Sequence, residues 1–129
     1  MKILFYPAFR ELDLSGSSAD YHRLADVIAA GAGTRATAGG GSGDGEVALA
    51  AVEVAAVPGR AVLIEVAAGR LRVSGDPAKL AVLAENVRAM ADAEDGGHLH
   101  VEYHPGHWYL AEGSVPLVVN SPHGAMPTR

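Results

Sequence analysis

The stretch LRVSGDPAKLAVLAENVRA, Leu71 to Ala89, carries a strand, a turn and a helix in 19 residues. Leu71, Arg72 and Val73 alternate apolar and polar as a half-buried strand does, and Gly75-Asp76-Pro77 ends the run. Asp76 has the side chain of an N-cap, and Pro77 stands at the first helical position, where its missing N–H would have no partner anyway. Leu80, Leu83, Ala84, Val87 and Ala91 then recur at helical spacing, while Lys79, Glu85, Arg88 and Asp92 fall elsewhere on the wheel. The spacing predicts a helix that packs on a sheet through this stripe.

Working outward, the same pattern recurs 59 residues earlier. Leu12 to Ala30 aligned with Leu71 to Ala89 gives seven identities in 19 positions, among them Ser15-Gly16 with Ser74-Gly75 and Leu24 with Leu83. Ser17 takes the cap position with Asp20 three residues on, Tyr21, Leu24, Ala25 and Ile28 form the matching stripe, and Gly31 stops it. Ile3-Leu4-Phe5 falls on Val62-Leu63-Ile64 at the same offset. Each half therefore reads strand, strand, helix, strand. Repeats of about 1–57 and 60–119 form a single domain related by a pseudo-twofold axis.

The glycine-rich segment 39–45 reads as a mobile hairpin loop, and 120–129, with two prolines and a glycine, as a frayed tail. Glu46 to Val57, Arg60 to Val66, His98 to Tyr103 and Val115 to Val119 read as strands. Paired strands with only two helices point to an α+β layer: a largely antiparallel sheet with both helices on one face.

Composition narrows the function. With 129 residues the chain is one domain, and without cysteine it has no disulfide or thiolate zinc site, so a reducing, cytoplasmic setting is expected. Ten Lys and Arg against 15 Asp and Glu leave a net charge of -5, with no basic footprint for nucleic acid. No apolar run is long enough for a membrane span. No cofactor is expected.

The one concentrated polar segment is His98-Leu99-His100-Val101-Glu102-Tyr103-His104-Pro105-Gly106-His107-Trp108. On a strand His98, His100, Glu102 and His104 share a face, a set that could hold zinc or another divalent ion, or do acid–base work near neutral pH. Four such residues span roughly 20 Å at strand rise, so a site needs two of them plus His107, Glu112 or His123. The competing reading is the ordinary polar face of an antiparallel sheet, and it is favoured. Nothing resembles a nucleophile elbow or a phosphate loop, and Glu94-Asp95 reads as an exposed turn, so nucleophilic catalysis is not expected and a small enzyme using His98, His100, Glu102 and His104 stands only as the alternative to a binding protein.

Five of the seven aromatics lie in Tyr6 to Phe9 and Tyr103 to Tyr109. Tyr6, Phe9, His104, His107, Trp108 and Tyr109 are the candidate binding residues, with Trp108 the anchor or, alternatively, a lid on the core.

The blocks Tyr6-Pro7-Ala8-Phe9, Leu12-Asp13-Leu14-Ser15-Gly16, Ser74-Gly75-Asp76-Pro77, His98 to Tyr103, Pro105-Gly106-His107 and Ser114 to Val119 resemble the immunity protein 32 family of bacterial polymorphic toxin systems. That resemblance implies a small cytoplasmic protein that binds and neutralises a cognate toxin domain, with no activity of its own and no residue roles to carry over. A homodimer built on the repeat and the edge strands stands as a further partner reading.

Overall fold

The computed structural model describes residues 1–37, 45–93 and 97–122. Most of the glycine segment, the Glu94-Asp95 pair, His123 and the rest of the tail lie outside the described residues. The elements are β1 (Lys2–Tyr6), β2 (Glu11–Ser15), α1 (Ser18–Ala30), β3 (Ala32–Ala36), β4 (Val47–Ala48), β5 (Ala51–Ala56), β6 (Leu63–Ala67), β7 (Arg70–Gly75), α2 (Pro77–Met90), β8 (His98–Val101) and β9 (Leu117–Asn120).

Both helices start where their caps place them. The Ser17 hydroxyl accepts from the Asp20 N–H while the Asp20 carboxylate accepts from the Ser17 N–H, a reciprocal capping box. The Ser17 N–H first, with the Met1 ammonium at 3.2 Å, holds the Asp20 carboxyl far below the usual range. Gly31 closes α1 in the left-handed region at φ 69°. Asp76 caps α2 by accepting from the Ala78 N–H at 3.0 Å, and it also accepts from the Gly59 N–H at 2.8 Å. The helices pack on one another, tied at their rims by Ser18 Oγ donating to Ala91 O and by an Arg88–Asp26 ion pair at 3.1 Å.

The fold is α+β with two helices and largely antiparallel pairing, as expected, but its strands form two mixed sheets rather than one. The first has the order β4-β1-β2-β9-β8 and the second β3-β5-β7-β6. The physical reason lies in the helices: α1 carries the chain from the first sheet into the second, and α2 carries it back. Each hairpin, β1-β2 or β6-β7, is thus extended by a strand from the other half that runs parallel to it: β9 beside β2, β5 beside β7. An antiparallel neighbour, β8 or β3, follows in both.

The sheets are joined through their edges. The Leu49 N–H donates to Ile3 O and the Ala50 N–H to Gly69 O, both at 2.9 Å. On the other side the Val115 N–H donates to Ile64 O at 2.9 Å and the Leu12 N–H to Pro116 O at 2.8 Å. One core results, in which Ile3, Leu12, Leu14, Val119, Ile64, Leu71 and Val73 meet Tyr21, Leu24, Ile28, Leu80, Leu83 and Val87 from the helices.

Ladder register corrects the first-strand alignment. Ile3 pairs with Leu14 and Ile64 with Val73, so Ile3 corresponds to Ile64, at an offset of 61. The reason is turn length: Pro7 to Arg10 separates Tyr6 from Glu11, whereas only Ala68 and Gly69 separate Ala67 from Arg70. Ala68 and Gly69 both have positive φ, 52° and 73°, the geometry of the tight turn that suits strand twist. Arg10 is also left-handed, at φ 48°.

Other strand limits shift for related reasons. Residues 46–57 break at Leu49-Ala50, where the chain passes from pairing with β1 to pairing with β7. The tail begins later than residue 120: Asn120 ends β9, and Ser121 is buried, its N–H donating to Gly97 O at 2.8 Å.

Candidate binding surface

The two aromatic segments sit on different supports. Tyr6 ends β1 half-buried, and the Pro7 to Arg10 turn is held by the Phe9 N–H donating to Tyr6 O at 3.1 Å and the Arg10 N–H to Pro7 O at 3.3 Å. Phe9 projects from this turn, 77% exposed. The segment after β8 turns at Pro105-Gly106 and then docks on the start of β6. There the Val62 N–H donates to Tyr109 O at 2.8 Å and the Ala111 N–H to Val62 O at 2.7 Å.

That docking separates two adjacent aromatics. Trp108 is 68% exposed, its ring edge-on to Tyr109 at 5.5 Å, so it is no lid on the core. Tyr109 is only 7% exposed and belongs to the core, with its hydroxyl accepting from Asn86 Nδ2 at 3.2 Å. The expectation that Tyr109 lies on the surface is therefore corrected: the two bonds to Val62 flank Leu110 and dock this stretch on the sheet, and the Tyr109 ring packs into the core with its hydroxyl on Asn86.

His107 is a turn-holding residue. Its Nδ1 accepts from the Leu110 N–H at 3.1 Å and the Tyr109 N–H at 3.3 Å, and its ring lies 4.6 Å from that of Tyr109. Burial, and then the neighbouring His104 ring at 4.8 Å, lower its pKa, as suits an imidazole whose Nδ1 must stay unprotonated. His104 itself is exposed.

The histidine strand does not gather. β8 ends at Val101; His98 and His100 stand edge-to-face at 5.7 Å on its exposed side, Glu102 is exposed beyond it, and His104 turns towards His107. Among the described residues no three His, Asp or Glu side chains come close enough to hold a metal ion. His98, His100, Glu102 and His104 therefore do not close on one ion together, and His123, one of the partners such a site would draw on, lies outside the described residues.

Sequence reasoning missed a polar group on the outward face of the first sheet. Asn120 Nδ2 donates to Asp13 Oδ1 at 2.6 Å and to Ser15 Oγ at 3.1 Å, with Asp13 8% and Asn120 5% exposed. The available signal was Leu12-Asp13-Leu14-Ser15, whose polar members alternate with core leucines. The outward face of the second sheet carries a hollow of about 420 Å3 bordered by Thr34, Glu53, Arg72 and Glu65. There Glu53 is paired with Arg70 and Arg72, and the Arg70 guanidinium keeps its carboxyl below the usual range.

A groove of about 220 Å3 lies at the far end of the Pro7 to Arg10 turn. It is lined by Phe5, Arg10, Glu65, Val66, Gly113 and Val115, so Arg10 of the turn and Gly113 of the later loop border the same groove. Among the described residues no helix is long and apolar enough to cross a membrane.

No curated protein and no solved structure matches the chain. A family model does, over the portion that includes β7, α2, β8, β9 and the Trp108 segment between the last two. Residues 70–122 match the family described as Immunity protein 32, the family that the sequence resembles.

Proposed function

We propose that this protein is an immunity protein that binds a cognate toxin domain and neutralises it, using the surface formed by the Tyr6 to Phe9 turn and the His104 to Glu112 segment. The family match supports a protein partner. The observation that carries the reading to a surface is that Phe9 and Trp108, 77% and 68% exposed, stand on main-chain segments fixed to the sheets. Loops on a rigid scaffold with aromatic side chains held outward are suited to recognition, since such side chains dominate binding energy when a partner buries them. Tyr6 and His104 flank the two aromatics; His107 and Tyr109 hold the second loop in shape. The setting is cytoplasmic, where a toxin made in the same cell must be met.

The test is binding and protection with the toxin domain encoded beside this chain. Trp108→Ala is expected to weaken binding by about 2 kcal/mol or more while leaving the melting temperature nearly unchanged. A protein that neither binds that domain nor protects cells expressing it would refute the immunity reading.

A further inference from the structure

His107 makes a pair of bonds that a histidine can make in one protonation state only. Its Nδ1 accepts from the Tyr109 N–H at 3.3 Å and the Leu110 N–H at 3.1 Å, the two- and three-residue reach by which Asn, Asp or Ser caps a turn. Asn would accept those N–H groups at any pH. A neutral imidazole accepts through Nδ1 only when its proton sits on Nε2, and in the imidazolium both ring nitrogens are donors. A cationic His107 would set an N–H against two N–H groups, so this loop shape and that charge exclude each other.

The loop is held at two places. On the far side the Val62 N–H on Tyr109 O, the Ala111 N–H on Val62 O and the buried Tyr109 and Leu110 side chains anchor it independently of the imidazole. On the near side the hold is His107 itself, whose own N–H donates to His104 O at 2.9 Å. Between the two stands Trp108, 68% exposed and edge-on to Tyr109. Losing the Nδ1 bonds frees His104 to Trp108 while the docked part stays in place.

The groups around the ring are Tyr109 at 4.6 Å and His104 at 4.8 Å on its own segment, Val62 ahead of β6, and Asn86 of α2, which meets the Tyr109 hydroxyl. Burial disfavours the charged ring, and His104, the one group of these that can carry a positive charge, opposes it further.

We infer that His107 is an acid-sensitive latch for the Trp108 loop: neutral, it holds the loop in its binding shape, and a proton taken up at Nδ1 releases His104 to Trp108 and weakens the hold on the partner. This rests on the immunity reading for the partner and adds the regulation of its binding. An open loop must re-form before it binds, so apparent affinity falls with the fraction still latched.

The latch is tested first without a partner. Trp108 is the sole tryptophan, so its emission reports this loop. Between pH 8 and pH 5 that emission and the amide proton shifts of Tyr109 and Leu110 are expected to move together, with one midpoint below the ordinary imidazole value of 6.5, while the amides of Val62 and Ala111 move far less. His107→Asn should abolish the midpoint; His107→Asp, which also offers an oxygen acceptor, replaces it if the Asn variant does not fold. Tyr109 and Leu110 amides that keep their positions while the His107 ring titrates would overturn the latch. So would a Trp108 emission that changes with pH as much in H107N as in the parent.

Coupling to the partner is read from the Kd for the toxin domain encoded beside this chain, at pH 7.5 and pH 5. Acidification is expected to weaken binding by the parent about 3-fold or more beyond its effect on H107N, a comparison that cancels titrating groups on the toxin. Equal pH ratios in parent and variant, with binding intact, would overturn the inference and leave the immunity reading standing. If the domain binds at neither pH, the immunity reading fails, and the emission and amide titration alone decides the latch.

Discussion

The hydroxyl of Tyr21 on α1 donates to the main-chain oxygen of Asn120 at the end of β9, and Leu14 O on β2 lies within reach at 3.3 Å. One phenol thereby ties the first helix to the junction of two parallel strands drawn from opposite ends of the chain. Burial pushes its pKa up to about 12, so it stays a donor throughout the working pH range. Tyr21→Phe removes that donor without changing ring packing. It is expected to cost about 1 to 3 kcal/mol in a denaturant melt, because the Asn120 and Leu14 oxygens lose it in a buried site.

Leu83 sits at the middle of the α2 stripe, fully buried between the helix pair and the sheets. Leu83→Ala should lower stability by roughly 2 to 5 kcal/mol, the transfer loss plus the cavity left behind. Denaturant unfolding measures it directly.

Gly75 shows no unusual φ; what it lacks is room. A Cβ there would lie 2.8 Å from the Val62 Cα, which is backbone and cannot swing aside. Gly75→Ala is expected to destabilise by about 1 to 3 kcal/mol through that overlap. At Ala68 the opposite holds: its φ of 52° is poorly suited to alanine, and Ala68→Asn should stabilise by about 0.5 to 1 kcal/mol, with both variants measured by denaturant unfolding.

His107 predicts a pH response. Its folded pKa lies below the usual value of 6.5, so the unfolded chain takes up the proton first as pH falls. The stability it contributes is complete above that value, declines as pH drops below it and levels off once the folded imidazole is itself protonated. His107→Asn, which keeps an acceptor for the two N–H groups but does not titrate, should remove this component from a melting profile between pH 7 and pH 5.

What could be read from the chain in advance was what is encoded within one turn of neighbours. Ser17 with Asp20 and Asp76 with Pro77 fix both helix starts, and the Leu24 and Leu83 stripes fix their buried faces, because capping and helical spacing are short-range. The partners of β2 and β7 were not legible. Nothing near Leu12 says that Leu117 will lie beside it, since parallel pairing is decided by where a helix delivers the chain. The surface followed the same division. A Pro-Gly turn correctly signals that residues 107–109 leave β8, yet it placed Trp108 and Tyr109 on one side; their separation depends on bonds to Val62, far away in sequence. Asp13 and Asn120 escaped notice because their bond spans most of the chain.

The crossing of the chain between sheets bears on how the protein is made. As the polypeptide leaves the ribosome, the β1-β2 hairpin and α1 emerge early, but β2 has an unsatisfied side until Leu117 to Asn120 arrives. A nascent chain paused anywhere in its second half presents an open strand edge to its surroundings, the condition in which strands find wrong partners. Chaperone demand should therefore persist until Leu117 to Asn120 has emerged, and a premature stop anywhere before β9 leaves the hairpin that carries Phe9 on an unfinished sheet.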